Sequence, residues 1–166
     1  MPNVFQPDFD PSDDSDQAGF ANRRARIGRQ AGARRIGASV YELPPHQALC
    51  PYHWEAGNEE MVIVLSGRPS IRTPQGWREL DPGEIVSFPR GPEGAHQVAN
   101  RGDEESRVLM LSELNGPEVS VYPDSDKVGV LSRPPGAPPE EGDLDAVLKL
   151  GEEVDYFLDE QAPGDK

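Results

Sequence analysis

The sequence predicts an all-β fold, an antiparallel barrel or sandwich, and three observations support this prediction. Short apolar segments recur at regular intervals between residues 38 and 113. The 17 glycines and 18 prolines are scattered between these segments without a repeat. None of the segments has helical periodicity, and no insert of helix length separates them. Such a pattern is typical of short antiparallel strands joined by turns rather than of alternating strands and helices.

The chain begins with an acidic segment, residues 1–19, that we expect to be a flexible arm with Val4 and Phe5 held against the body. Residues 20–37 then contain six arginines and no acid. They could form a solvated or partner-facing strand and loop that balances the acidic body, or a patch that binds anions or RNA. The acidity of the rest of the chain favours the first interpretation.

From residue 38 the predicted strands follow one another with short turns between them. Residues 61–65 are apolar at every position, so we expect the barrel interior to cover one face of this strand and another sheet or subunit to cover the other. In chain order, the predicted strands are ASVYEL (38–43), CPYHWE (50–55), EEMVIVLSG (59–67), PSIRT (69–73), WREL (77–80), EIVSF (84–88), HQVAN (96–100) and RVLMLSE (107–113).

The last third of the chain is expected to pack on the outside of this core. Residues 114–131 predict a strand or two, and residues 132–142 are a proline-rich linker. Residues 143–160 could form a short strand or helix that holds Leu148, Val154 and Phe157 against the body. The predicted organisation is therefore a flexible acidic arm (1–19), a barrel domain (20–130), and a proline-rich linker with an acidic tail that packs on the barrel (131–166).

The formal net charge of −14 restricts the classes of partner. An acidic surface repels the phosphates of nucleic acids and of anionic membranes, so neither is an expected partner. No apolar run approaches the length of a membrane span, and the acidic first residues lack the apolar core of a secretory signal. The single cysteine, Cys50, cannot form an internal disulfide. These features are typical of a cytoplasmic protein.

Two histidines and two glutamates occupy positions that suit a metal site. His53 and Glu55 are two residues apart on a predicted strand, so their side chains project from the same face. Glu60 begins the next strand after a short gap, and His96 begins a later one. Imidazole and carboxylate ligands of this kind bind divalent transition metals, and two histidines with one carboxylate are the ligands of many non-haem Fe(II) oxygenases.

The stretch from about residue 49 to 113 resembles the cupin superfamily, because it carries nearly every anchor of the two cupin motifs. The first motif reads His53-Trp54-Glu55, AGNE, Glu60, MVIVLS, Gly67, and the second reads Gly83, EIVSF, Pro89-Arg90-Gly91, PEGA, His96, QVA, Asn100. The resemblance implies a double-stranded β-helix, that is, a jelly-roll-like barrel. It also implies one divalent transition metal per chain (Fe, Mn, Ni, Zn or Cu) held by His53, Glu55, Glu60 and His96.

Glu55 departs from the motif, since the family would place a second histidine there. Its carboxylate could ligate the metal, or it could swing away and leave His53, Glu60 and His96 as the ligands. For the neighbouring polar residues we expect structural roles: His46 exposed in a turn, Glu59 solvated or paired with an arginine, Cys50 a small buried apolar group, and Trp54 packed away from the site.

The function predicted from these residues is a metal-dependent enzyme that acts on a small organic molecule, either as a dioxygenase or as an isomerase or lyase by Lewis-acid chemistry. The alternative is a cupin that binds a sugar or carboxylate without catalysis. The expected inward residues Val62, Val64 and Val98 are apolar. They offer few charged groups to a phosphate, which favours a small apolar or aromatic substrate over a phosphosugar. The two-sided apolar strand and the arginine-rich segment also predict a homodimer.

Overall fold

Antiparallel strands make up most of the regular structure in residues 1–160, the part of the chain that the computed structural model describes. This confirms the predicted all-β fold class. The strands are β1 (Arg23–Ala25), β2 (Ile36–Leu43), β3 (Gln47–Ala48), β4 (Trp54–Glu55), β5 (Glu60–Ser66), β6 (Ser70–Thr73), β7 (Gly76–Glu79), β8 (Ile85–Phe88), β9 (Gln97–Asn100), β10 (Ser106–Glu113), β11 (Glu118–Tyr122), β12 (Lys127–Leu131) and β13 (Asp145–Lys149).

The strands form three antiparallel sheets. The first has the order β1-β2-β10-β5-β8, and the second has the order β3-β9-β6-β7. These two sheets share one apolar core, so they are the opposing sides of a jelly-roll barrel. The third sheet has the order β13-β12-β11-β4, and its strand β4 begins at Trp54, directly after His53.

The core consists of the inward-facing residues of both barrel sheets, which alternate along each strand with outward-facing residues. The expected inward residues Val62, Val64 and Val98 are all buried. Burial of each such side chain contributes about 1.5–3 kcal/mol relative to its exposure. The buried members of the core are Leu43, Val62, Val64, Ile71, Leu80, Phe88, Val98, Val108 and Met110.

The outer face of the first sheet is covered in part by the N-terminal segment of the same chain. Ala25 and Ile27 pack with Val40 in a second buried cluster, and Val4 and Phe9 pack against it. A single helical turn, α1 (Ile27–Gln30), follows β1 in the segment that we expected to be strand and loop. Phe5, which we expected to be held against the body, is exposed.

The strand predicted over residues 50–55 is shorter than expected. Only Trp54–Glu55 forms a strand, while His53 makes an isolated bridge to His96. Pro51 has no backbone N–H to donate, so the ladder cannot continue through that residue.

In the C-terminal region, β11 and β12 form the predicted pair of strands, and β13 pairs with the edge of β12. Leu148, Val154 and Phe157 are exposed, so the expectation that they are held against the body is wrong for this chain. The reason is that β13 is attached through its backbone to an edge strand, and that attachment places no second layer over its side chains. Residues 161–166 of the predicted tail lie outside the described residues, and the proposed domain boundaries stay a prediction.

No helix in residues 1–160 has the length and apolar character needed to cross a membrane.

Candidate metal centre

His53 and His96 are brought together by direct backbone pairing. The His53 N–H donates to the His96 carbonyl at 3.1 Å, and the His96 N–H donates to the His53 carbonyl at 2.8 Å. The two imidazole ring centroids lie 4.8 Å apart, and both residues are buried. Residues opposed in an antiparallel pair project from the same face, so the bridge directs both rings to one point inside the barrel.

Both imidazoles are fixed in the tautomer that a metal site requires. Nδ1 of His53 lies 2.9 Å from the carbonyl oxygen of Pro51, and Nδ1 of His96 lies 3.0 Å from that of Gly94. A carbonyl oxygen only accepts, so each Nδ1 carries the hydrogen. Each Nε2 is therefore left with a lone pair, and this arrangement orients most metal-bound histidines in proteins.

Glu60 completes a group of three donors. One of its carboxylate oxygens, Oε2, lies 3.2 Å from Nε2 of His96 and 4.0 Å from Nε2 of His53. The ligand atoms of the three residues all lie within 4.8 Å of one another. The register of β5 explains the position, because Glu60 precedes the inward residues Val62 and Val64 at intervals of two.

The ligand atoms of the three residues face one another inside the barrel. Nε2 of His96 is buried and has no hydrogen-bond partner among the described residues. Burial, and then the neighbouring His96, lower the pKa of His53, which keeps its ring neutral. Two imidazoles and a carboxylate suit a divalent transition metal, so the residues present fit the ion that the resemblance implies.

Glu55 lies near this group but outside the set of three convergent donors. Its Oε2 atom is buried and has no hydrogen-bond partner in residues 1–160. Burial, followed by the negative charges of Glu60 and Glu118, raises the pKa of Glu55 to about 8. Its role as a fourth metal ligand stays a prediction.

Two aromatic rings that the sequence analysis did not single out pack on the histidines. Phe88 is stacked on His96, with ring centroids 3.8 Å apart and an interplanar angle of 5°. Tyr122 is stacked on His53 at 5.8 Å and 24°. Burial raises the pKa of the Tyr122 hydroxyl. The rings limit the rotation of both imidazoles, and Tyr122 adds a hydroxyl to the surroundings of the site.

The other polar residues of the region lie outside the donor group. Sγ of Cys50 is 3.7 Å from Nδ1 of His53, on the opposite side of the ring from the donor atom Nε2. Burial raises the pKa of the Cys50 thiol well above its ordinary range. His46 is exposed in a turn, as predicted, and Nε2 of His46 lies 3.3 Å from Asp103. Glu59 is exposed, as predicted, and Trp54 is half-buried.

The loop between β4 and β5 is held by a buried carboxylate, Glu118. Oε1 of Glu118 accepts the backbone N–H groups of Ala56 and Gly57 at 3.1 Å and that of Val119 at 2.8 Å. Oε2 accepts from the amide of Asn58. This loop joins Glu55 to Glu60, so Glu118 fixes their separation. No pattern in the sequence distinguishes Glu118 from the other acidic residues.

A cavity of about 600 Å³ lies between the arginine-rich segment and the proline-rich linker. Four arginines line it, namely Arg24, Arg26, Arg29 and Arg34. The expectation that a substrate meets few charged groups stays a prediction, because it rests on the inward residues Val62, Val64 and Val98, and these are buried as predicted. Arg24 is directly opposite Tyr41 in the β1–β2 pair, and this pairing turns it to the inner face of the barrel sheet.

The comparisons with known proteins agree with this fold. The cupin domain family matches residues 39–112 of the chain. A structure from Silicibacter pomeroyi, named as a sugar phosphate isomerase from a cupin superfamily, aligns with a TM-score of 0.70 and 21% identity over 86% of this chain and 98% of the other. A candidate sugar phosphate isomerase from Acidithiobacillus ferrooxidans aligns with a TM-score of 0.68 and 22% identity, over 89% and 83% of the two chains.

A third similar structure is the polyketide cyclase RemF from Streptomyces resistomycificus, with a TM-score of 0.56 and 20% identity over 71% of this chain and 82% of the other. At these identities the likeness concerns the fold alone. No curated protein sequence matches the chain. Residues 39–112 of this chain match the cupin domain family, and the jelly-roll barrel and the two motifs agree with a cupin fold.

Proposed function

We propose that this cupin is a metal-dependent enzyme that converts a small organic molecule, with one divalent transition metal per chain held by His53, Glu60 and His96. The observation that carries the proposal is the convergence of two Nε2 lone pairs and one carboxylate oxygen within 4.8 Å. Such a set fills three coordination positions of a metal and leaves the other positions open for substrate.

A divalent metal bound there would supply Lewis-acid polarisation of a substrate oxygen, or a redox centre if the metal is iron. The protein residues supply orientation and exclude water. Phe88 and Tyr122 stack on the imidazoles and limit their rotation. Glu55, with a buried oxygen that lacks a partner in residues 1–160, is either a fourth ligand or a group that holds a proton beside the substrate.

Isomerase or lyase chemistry is one form of the proposal. It needs only Lewis-acid polarisation and a group that moves a proton, for which Glu55 and Tyr122 are placed near His53. The names of the structural neighbours, two sugar phosphate isomerases and a cyclase, are compatible with this form. Dioxygenase chemistry is the second form, and the two-histidine, one-carboxylate donor set favours it. The alternative function is binding of a sugar or carboxylate without catalysis.

Elemental analysis of the purified protein tests the metal site. We expect about one metal per chain in the wild type and a loss of most of it in His53→Ala and His96→Ala. His46→Ala is the matched control, because it removes an exposed histidine far from the donor group, and it should retain the metal. A metal-free wild type, or equal metal content in all four proteins, contradicts the proposal.

Activity assays then separate the forms of the proposal. Protein loaded with Fe(II), Mn, Ni, Zn or Cu is incubated with a panel of small substrates, and both oxygen uptake and product formation are measured. Substrate-dependent oxygen uptake that occurs only in the Fe(II)-loaded protein indicates a dioxygenase. Turnover without oxygen uptake indicates an isomerase or lyase, whereas saturable binding without turnover indicates a binding protein.

A homodimer and a cytoplasmic location are part of the proposal. The half-buried outer residues of β5 and the exposed apolar residues of β13, such as Val147 and Leu148, support self-association. A sedimentation experiment that gives a monomer at micromolar concentration contradicts the dimer.

A further inference from the structure

On the inner face of the first barrel sheet, cross-strand pairs connect Glu60 of the donor group to residues that line the arginine-rich cavity. In the β10–β5 pair Glu60 is opposite Ser112, and in the β10–β2 pair Ser112 is opposite Gly37. Opposed residues of an antiparallel sheet share a face, so these three residues lie in one inward row. Ser112 and Gly37 both line the cavity. Ser112, which lines the cavity, is therefore the cross-strand neighbour of the proposed metal ligand Glu60.

A second inward row brings an arginine to the same face. Tyr41 lies four residues after Gly37 on β2, so its side chain has the same direction, and it is opposite Arg24 on β1. Both residues line the cavity. Burial raises the pKa of the Tyr41 hydroxyl, Arg24 lowers it, and the negative charge of Glu60 raises it further. Strands β1 and β5 are three strand spacings apart, about 14 Å, and Arg24 is offset from Glu60 by a further four residues along the strands.

The arginines of the cavity are only partly neutralised. Asp13 lies 3.5 Å from the Arg24 guanidinium and 2.7 Å from that of Arg26, so one carboxylate serves two arginines. Neither Arg29 nor Arg34 forms an ion pair within residues 1–160. The result is an excess of positive charge in one cavity of a chain whose net charge is −14. Guanidinium groups bind carboxylates and phosphates well, because their planar donors match two oxygens at once.

The opposite side of the cavity offers few hydrogen-bond donors. It is formed by the proline-rich linker, with Pro134, Pro135 and Pro138 among its residues. Proline has no backbone N–H. Met110 and Leu114 add apolar surface. The cavity thus combines a cationic end with an apolar surface that suits a carbon skeleton.

We propose that this cavity binds the substrate and that the substrate is a small organic anion, with its carboxylate or phosphate group on the arginines and its reacting end beside Glu60. This inference rests on the proposed function, since it assigns the substrate class of the same site. It also changes the interpretation of residues 20–37. They provide an anion-binding surface inside the cavity rather than only a solvated strand and loop that balances the acidic body.

Calorimetric titration of the full-length protein tests this inference. The probes are succinate, glycerol 3-phosphate and neutral glycerol, at one fixed ionic strength. The test variant is Arg29→Gln/Arg34→Gln, which removes two exposed charges of the cavity. The control is Arg68→Gln/Arg101→Gln, which removes the same number of charges on the far side of the barrel. Circular dichroism melts verify that each variant folds.

We expect succinate or glycerol 3-phosphate to bind the wild type with saturation, and the better of the two shows whether the anionic group is a carboxylate or a phosphate. The test variant should bind at least tenfold more weakly, the control within twofold of the wild type, and glycerol not at all. Equal affinity of the wild type and the test variant overturns the inference. So does an equal loss in the control, or no binding of either anion.

The metal content of each sample separates this inference from the proposed function. If the protein contains metal but binds neither anion, the proposed function stands and the inference about the substrate is wrong. If the protein is metal-free but binds an anion through the arginines, the proposed metal enzyme is wrong and the anion-binding cavity stands. If the test variant changes the sedimentation coefficient and the wild type binds no anion, the arginines serve contact between copies of the chain, and the inference is wrong.

Discussion

Phe88 lies flat against His96, with an interplanar angle of 5° and ring centroids 3.8 Å apart. Phe88 is also opposite Glu60 in the β5–β8 pair. One aromatic residue therefore contacts one proposed metal ligand and is paired with another. This relationship couples the packing of the barrel core, of which Phe88 is a member, to the geometry of the donor group.

Phe88→Leu should weaken both the fold and the metal site. We expect the free energy of unfolding to fall by about 1–3 kcal/mol, because a buried ring is replaced by a smaller side chain. Metal affinity should fall by about 10-fold or more, since His96 loses the surface that fixes its orientation. Chemical denaturation and metal titration measure the two effects. Ile85→Leu, on the exposed face of the same strand, should leave both nearly unchanged.

Glu118→Gln should loosen the loop that joins Glu55 to Glu60. The new amide group would face the Asn58 amide donor, so one buried polar group loses its partner. We expect a loss of about 1–3 kcal/mol in the free energy of unfolding, together with weaker metal retention. Glu113→Gln is the control, because the Glu113 carboxylate accepts from the Glu59 N–H in the same loop, while the Glu113 side chain is 45% exposed. Equal losses in both variants would show that burial of Glu118 is unimportant.

The sequence predicts the donor group because that group depends on strand periodicity. His53, Glu60 and His96 lie at strand positions whose direction follows from alternation, and the two motifs give their relative order. Phe88, Tyr122 and Glu118 could not be predicted in the same way. Their contacts depend on which strands are neighbours. Glu118, for example, accepts a hydrogen bond from the side-chain amide of Asn58, which is 60 residues away in the sequence.

The arginine-rich cavity is a second feature that the sequence could not predict without knowledge of which strands are neighbours. Six arginines in one segment indicate positive charge, but composition does not show on which side of a sheet that charge lies. The pairing of Arg24 with Tyr41 decides this, and it follows from the register of β1 on β2. An acidic overall composition therefore favoured a solvated segment, whereas the structure turns part of it inward.

Gly67→Ala should be much more destabilising than Gly83→Ala. Both glycines have positive φ angles, +74° and +88°, so each substitution costs about 1–2 kcal/mol in backbone strain. At Gly67 the new methyl group would also lie 2.6 Å from the Glu105 carbonyl oxygen, whereas at Gly83 nothing lies within 4 Å. We expect an additional loss of about 1–3 kcal/mol at Gly67. Thermal or chemical denaturation that finds the two variants equally stable refutes the steric explanation.

The contribution of Glu55 to the stability of the metal-free protein should fall as pH rises from about 4.5 to about 8. Burial and the charges of Glu60 and Glu118 raise the pKa of Glu55 from 4.5 to about 8 in the folded protein. The folded state therefore binds the Glu55 proton more tightly than the unfolded state. This contribution to stability is complete below pH 4.5 and is lost as pH rises through about 8.

Glu55→Gln isolates this contribution, because glutamine mimics the protonated carboxyl at every pH. In the presence of a chelator, the wild type should lose up to about 1.4 kcal/mol per pH unit relative to the variant between these limits, since one proton is linked to unfolding. Denaturant unfolding at a series of pH values measures the difference. Parallel pH profiles for the two proteins would show that the pKa of Glu55 is the same in the folded and unfolded chains. That result would contradict the prediction that burial raises the pKa in the folded protein.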